Sequence, residues 1–328
     1  MRGTLVGVVL LLLLLAGCAG GTGSKGGGLP HSPLAAQGLS IDELAVDPLN
    51  DQTVYALQVG TLFKTENGGA SWRQFNFPGT SLDAFAFVPP RMLYVTGVST
   101  VDVAFSSPDG GTQWRRVRDP FQGPVNSFAV APSDHRVLYA AIFSNGSGVF
   151  KSSDGGRSWR SAGLTGTLID ALAVDPQNPQ RVYAVRRGGP FQSQVFKTTD
   201  GGRSWQASGT TSLAGEGVHT ITVDSQHPRI LYAAARDGVF KSSDAGAHWR
   251  RDGLRGQAFN QVIISPRNPR RLYAALLDDG VFESSSAGRD WHRLGLANEN
   301  VGVLAISSDG RVLYAGTDDD GVIVFRVH

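Results

Sequence analysis

Cysteine is all but absent from this chain of 328 residues: Cys18 is the only one. No intrachain disulfide can form, so the fold must hold by packing alone. Charge is sparse, at 18% of residues with a formal net charge of +2. Lys and Arg are scattered, with no basic stripe or arm, which excludes the electrostatic footprint of a nucleic-acid-binding surface. Glutamate is scarce beyond the N-terminal segment, where Glu43, Glu66, Glu216, Glu283 and Glu299 are all of it. Long apolar runs are missing too, apart from residues 5–16.

That run follows Arg2 and is too short for a membrane-spanning helix, which needs about 20 apolar residues. It reads as a signal peptide over 1–17. Leu15-Ala16-Gly17-Cys18 is similar to the lipobox of bacterial lipoproteins. The resemblance implies cleavage before Cys18, acylation of that residue and a lipid anchor, where several acyl chains together give stable attachment. An ordinary signal peptide with an incidental cysteine is the plainer alternative. Ala19 follows the cysteine, and the inner-membrane retention signal of Gram-negative lipoproteins would be Asp there, so outer-membrane sorting is allowed. Residues 18–32 form the lipidated cysteine and a Gly-rich tether; about 12 residues of such a linker reach roughly 20 Å. The expected setting is the extracytoplasmic cell envelope.

What is abundant is glycine, 42 residues, and it is repeated in place. Lys151-Ser-Ser-Asp154-Gly-Gly156-Arg-Ser-Trp159 recurs in variant form, ending at Trp72, Trp114, Trp159, Trp205, Trp249 and Trp291. These are all six tryptophans, spaced 42, 45, 46, 44 and 42 residues apart. A period in this range marks propeller blades. The tyrosines count better: Tyr55, Tyr94, Tyr139, Tyr183, Tyr232, Tyr273 and Tyr314 each sit in a Val/Leu-Tyr-Ala/Val run, and they are all seven of the chain. There are therefore seven units, the last without a Trp segment.

Each unit reads as four short strands. In unit 4, 168–174 is the first strand, 175–179 a turn, 181–186 the second strand and 194–197 the third. Trp205 opens the fourth. Short alternating strands separated by turn residues indicate an all-β sandwich, barrel or propeller, and the fixed period selects the propeller. The expectation is one all-β domain over 33–328, a seven-bladed β-propeller of four-stranded antiparallel blades. Residues 33–37 are expected to supply the missing fourth strand of the last blade. Counting back four from Gly38 puts Leu34 in the place of the tryptophans.

The Trp segments resemble the Asp-box, or BNR, repeat of sialidases, sortilin-type receptors, some xyloglucan-degrading glycosidases and the photosystem II assembly-factor family. The resemblance covers residues 39–328 and is specific for fold but poor for function. It implies structural roles for Asp109, Asp154, Asp200 and Asp244 and for the six tryptophans, away from the active face. Asp can accept turn N–H bonds, Gly can take φ > 0 and Trp packs between blades. Asn67 and Ser286 replace the Asp in two copies, so those turns are expected to be looser.

Catalytic sets are harder to find. A sialidase needs an arginine triad and a Tyr–Glu pair, yet every Tyr here holds one equivalent strand position and reads as core. No Arg-Ile/Leu-Pro motif is present. Other glycosidases need two carboxylates roughly 5–9.5 Å apart, and the xyloglucan enzymes use two propellers facing a cleft. No Ser-His-Asp order, phosphate loop or metal-ligand spacing stands out. No catalytic residue, cofactor or metal site is assigned.

Two groups of residues are candidates for binding. Arg186, Arg187 and Arg236 fall in the loops between second and third strands of units 4 and 5, and Asp278, Asp279, Asp318, Asp319 and Asp320 in those of units 6 and 7. The face opposite the Trp segments is then basic on one side and acidic on the other; solvated turns are the plainer reading, and a calcium site at 318–320 is a third. The other group opens the first strands: Asp42, Asp83, Asn126, Asp170, His219 and Asn260, with Gly302 in the seventh. First strands are innermost, so these residues are expected to ring the channel mouth, either as a site for a cationic or hydrogen-bonding group or as braces of a water-filled opening. The functional expectation is a non-enzymatic envelope lipoprotein that binds a protein partner. A carbohydrate-active protein, hydrolase or sugar-binding module, is the rival.

Overall fold

The computed structural model describes residues 40–327 apart from 99–101, 118–120, 122, 144–146, 189–192, 210–212 and 214–215, together with Leu34. The signal peptide, Cys18 and the tether read from the sequence lie outside the described residues.

The chain is all-β, a seven-bladed propeller of antiparallel blades. Blade 1 is β1 (Ile41–Val46), β2 (Val54–Gln58), β3 (Thr61–Thr65) and β4 (Arg73–Gln74). Blade 2 is β5 (Ser81–Val88), β6 (Met92–Val98), β7 (Asp102–Ser107) and β8 (Arg115–Val117). Blade 3 is β9 (Val125–Val130), β10 (Leu138–Ile142), β11 (Gly148–Ser152) and β12 (Arg160–Ser161). Blade 4 is β13 (Ile169–Asp175), β14 (Asn178–Arg187), β15 (Ser193–Thr198) and β16 (Gln206–Ser208). Blade 5 is β17 (Val218–Val223), β18 (Leu231–Ala235), β19 (Gly238–Ser242) and β20 (Arg250–Arg251). Blade 6 is β21 (Phe259–Ile264), β22 (Leu272–Leu276), β23 (Gly280–Ser284) and β24 (His292–Gly295). Blade 7 has three strands among the described residues: β25 (Val301–Ile306), β26 (Val312–Thr317) and β27 (Val322–Arg326).

The second strands are apolar on both faces because each is sandwiched between neighbouring blades. Leu138–Ile142, Leu231–Ala235 and Leu272–Leu276 are buried throughout. The core is accordingly a set of seven clusters, one in each seam between blades. Trp249, for example, sits with Tyr183 and Val185 of blade 4 and Val218 of its own blade.

The turns that carry the Trp segments are built by their own side chains. Ser152 Oγ accepts Gly156 N at 2.9 Å and donates to Asp154 Oδ1 at 2.8 Å; Asp154 Oδ1 accepts Ser158 N at 2.9 Å. Gly155 and Gly156 have φ of +74° and +83°, which only glycine adopts without cost. The looser turns expected at Asn67 and Ser286 do not occur. Asn67 Oδ1 accepts Ser71 N at 2.9 Å, and Ser286 Oγ accepts Asp290 N at 2.8 Å. An amide or hydroxyl oxygen does there what the carboxylate does elsewhere.

Five tyrosines, Tyr55, Tyr139, Tyr183, Tyr232 and Tyr314, bond their blade to the next. Tyr55 donates to Gly110 O, Tyr183 to Ala245 O and Tyr232 to Ala287 O. Lys64, Lys197 and Lys241 reach the same three carbonyls at 3.2, 2.9 and 3.1 Å. No tyrosine is more than 1% exposed, and burial pushes the Tyr55, Tyr139, Tyr183 and Tyr232 hydroxyls well above their usual range. These hydroxyls are structural.

Leu34 tells where the N-terminal segment meets the ring. It is buried with Tyr314 and Val322 of blade 7 and Val54 and Trp72 of blade 1. Leu164, Leu254 and Leu296, each following a fourth strand, pack in the corresponding seams after blades 3, 5 and 6. Leu34 therefore occupies their place and not that of a tryptophan, which would lie in the seam before blade 7. The rest of 33–37 lies outside the described residues.

Candidate functional site

The ring residues share one backbone feature that the sequence did not announce. The pairing of first and second strands skips a residue in every blade, and the skipped residues are Asp42, Asp83, Asn126, Asp170, His219, Asn260 and Gly302. Each is a β-bulge, which leaves the extra residue unpaired and re-aims its side chain.

Most of those side chains turn to the next blade. The first strands are sheet edges, whose inner N–H and C=O groups have no strand to bond. Asp83 Oδ2 accepts Val125 N at 3.2 Å, and Asp83 Oδ1 accepts Thr96 Oγ1 at 2.5 Å. Asn126 Nδ2 donates to Ile169 O at 3.0 Å and Asn260 Nδ2 to Val301 O at 2.8 Å. His219 Nδ1 lies 2.8 Å from Phe259 O. Asp42 and Asp170 bond within their own blades: Asp42 Oδ2 accepts Val59 N at 2.9 Å, and Asp170 accepts Arg187 Nε at 2.8 Å. The bracing expected as the plainer reading is present, while Asp42, Asn126 and His219 remain exposed.

A residue that sequence reasoning passed over joins them. Glu43 follows the bulge in β1, and its Oε2 accepts Phe85 N of blade 2 at 3.1 Å. Burial pushes its carboxyl up to about 8, with Asp42 and Asp83 adding repulsion. Desolvation by the surrounding chain also raises Asp42, whose side chain keeps an exposed edge, and Asp318 adds repulsion. The signal was the position: Ala84, Ser127, Ala171 and Thr220 stand there in other blades, so one carboxylate is an anomaly.

The loop residues form a face of mixed chemistry. Arg187 stacks on the Phe143 ring, 5.2 Å from its centroid, besides bonding Asp170. Arg186 bonds Gln194 at 2.8 Å and lies over Phe196, so that part of the basic patch is engaged within its own blade. Arg236 is exposed at the tip of the blade 5 hairpin. Asp279 pairs with Arg293 at 2.5 Å and Asp318 accepts a bond from Asn300, whereas Asp278 and Asp319 are exposed. Glu299 is raised by partial burial and by Asp320 and Asp319 beside it. Among the described residues no group of three or more potential metal ligands comes together.

The same register position, four residues after each Tyr, also holds residues the sequence analysis missed. It reads Val59, Val98, Phe143, Arg187, Arg236, Leu277 and Asp318 around the ring. Val59, Val98, Phe143 and Leu277 are 53%, 40%, 36% and 44% exposed, four of the five exposed large apolar residues among the described residues. Aligning the units on Tyr and reading four residues on would have found them. Beside Val59 a groove of about 350 Å³ is lined by Gly60, Thr61, Phe75, Phe77 and Thr80 among others.

No known family profile matches the chain, and no curated protein sequence matches it. Solved structures do. YCF48 from Cyanidioschyzon merolae is similar with a TM-score of 0.72 at 14% identity, over 92% of this chain and 99% of that one. YCF48 bound to D1 peptide gives 0.69 at 14% identity, over 91% and 94%. The GH74 xyloglucanase from Xanthomonas campestris gives 0.74 at 18% identity, over 91% of this chain but 53% of its own, so the chain spans about half of that enzyme. At these identities the likeness is one of fold, and the fold shared is the β-propeller.

Proposed function

We propose that the chain is a non-enzymatic binding protein of the cell envelope, held to a membrane by lipid at Cys18 and offering the face of its second-to-third-strand loops to a protein partner. The observation that carries this reading is the contrast between ring and face. The polar residues at the channel mouth are largely spent on neighbouring backbone, as in Asp83 to Val125 and Asn260 to Val301. The loop tips expose apolar, basic and acidic side chains at one repeated position. Such a surface suits recognition of another macromolecule. That a protein of similar fold has been solved with a peptide bound supports the reading by analogy. The Trp segments, read as Asp-box turns, would serve as the rigid underside. Crosslinking the lipidated protein in its native envelope should capture a discrete partner. Capture should fall when Arg236 and Asp319 are both replaced by Ala; capture that ignores every change on this face would overturn the proposal.

A second reading, a carbohydrate-active protein, is favoured by the likeness to the xyloglucanase and by the carboxylates Asp42, Glu43 and Asp83 at one side of the mouth. Incubation with xyloglucan, sialyl and aryl-glycoside substrates separates the two. The binding reading expects no product above a blank, and turnover abolished by Glu43→Gln or Asp83→Asn would establish the other.

A further inference from the structure

The turn between β2 and β3 contains a side chain where the backbone least suits it. Val59 has φ of +39° and Gly60 φ of +75°. Two central residues with positive φ make the hairpin turn that favours Asn-Gly or Asp-Gly. A β-branched residue at positive φ is a genuine outlier, and blade 6 places Asp278, at +64°, in its own hairpin. Val59 is also 53% exposed, so burial does not compensate for the strain. Strained positions that the fold does not need cluster at functional sites.

Val59 belongs to a continuous strip. Leu82 N donates to Gly60 O at 2.9 Å, and Ser81 beside it pairs with Val98. Asp83 accepts Val125 N, and Phe143 N donates to Pro124 O at 2.9 Å. The exposed apolar residues of blades 1, 2 and 3 are thus stitched edge to edge, with Arg187 stacked on Phe143 as the far limit. The near limit is acidic. Asp42 is bonded to Val59 N itself, and Asp42 and Asp318 lie close enough to repel. Asp319 and Glu299 continue that sector. Among the described residues no Lys or Arg forms an ion pair with Asp42, Asp318, Asp319 or Glu299.

We infer that the Val59–Val98–Phe143 strip is a docking site for an extended protein segment with apolar side chains preceded or followed by Lys or Arg. The apolar side chains lie on the strip and in the groove beside Phe77, and the cation meets the carboxylates of blades 7 and 1. Charge complementarity decides the occupant: an acidic segment would meet Asp42 and Asp319 on the near side, and on the far side Arg187 is already held by Asp170. This inference rests on the protein-binding reading and adds to it the chemistry of the partner.

The test uses three synthetic peptides with one shared apolar centre, flanked by Lys, Ser or Glu, and the intact folded chain. The Lys-flanked peptide should bind roughly tenfold tighter than the Glu-flanked one at low salt, with the gap closing at high salt. Val59→Asn with Val98→Ser should weaken all three, while Val59→Asn alone melts no lower than the parent because Asn suits the turn. Asp42→Asn with Asp319→Asn should abolish the preference for Lys and leave the apolar contribution. Equal binding of the three peptides would overturn the inference, as would sedimentation showing a dimer of this chain that Val59→Asn dissolves. Capture of an envelope partner undiminished by the Val59 and Val98 changes would overturn it and leave the binding function standing. No capture by the parent protein at all would overturn both.

Discussion

Tyr183 in blade 4 donates its hydroxyl hydrogen to the main-chain oxygen of Ala245, 3.1 Å away and 62 residues further on in blade 5. Lys197 reaches the same oxygen at 2.9 Å. One turn carbonyl thus receives two donors from the preceding blade, one of which, Tyr183, also packs its ring in the apolar seam. Tyr183→Phe keeps the ring in the seam and removes one of the two bonds. It should lower stability by about 1 kcal/mol, read as a shift in the urea midpoint with unchanged slope. A loss several times larger would show that Lys197 cannot hold the turn by itself.

Glu43 gives the fold a dependence on pH in the neutral range. Its folded pKa of about 8 lies above the ordinary 4.5 of a free glutamate. The folded state therefore binds a proton more tightly than the unfolded chain. That contribution is complete below about pH 4.5 and is lost as pH rises through 8. Glu43→Gln retains an oxygen for Phe85 N and cannot titrate. The melting temperature of the parent should fall relative to Glu43→Gln between pH 6 and 8.5. Parallel curves for the two proteins would contradict the assignment.

The turn carboxylates act in the opposite sense. Hydrogen bonds from Gln113 N and Ser107 hold Asp109 below the usual range, and those from Ser204 do the same for Asp200. Stability from these groups is present above about pH 4 and lost as pH falls through their folded values. Asn67 shows that an amide can fill the role. Replacing Asp109, Asp154, Asp200 and Asp244 together by Asn should flatten the acid limb of the stability curve, measured by thermal melts between pH 2 and 5.

Leu34→Ala should destabilise by about 2–3 kcal/mol, since it empties a filled seam between blades 7 and 1. Leu164→Ala, in the equivalent place between blades 3 and 4, is the comparison. An Ala at 34 that leaves the urea midpoint unchanged would mean that the N-terminal segment does not help close the ring.

Cys18→Ala should stop lipidation and release the protein from membrane fractions, or leave it uncleaved. A mutant that still fractionates as a mature lipidated species would rule out the lipobox.

The repeat was legible because its markers are rare residues used for one purpose. All six tryptophans and all seven tyrosines occupy seam positions, so counting them counted blades. The start of each first strand could be aligned, but its chemistry could not be read, because the partner of Asn126 is a carbonyl at Ile169 in another blade. The bulge that turns the side chain there is a property of strand register, and no residue type announces it. Asn67 and Ser286 misled for a related reason: what the turn requires is an oxygen in the right place, and three residue types supply it. The exposed strip went unseen because Val59 looks like core composition until its turn geometry is known.

Tyr314 donates to Asp51 O across 263 residues, and Leu34 sits in the same seam. The earliest part of the folded chain to be synthesised therefore cannot dock until the last blade exists. Loop-closure entropy is spent before these contacts can repay it, so the ring joins late. The blades can assemble in sequence, and the contact between blades 7 and 1 turns a row of blades into a ring with no free end.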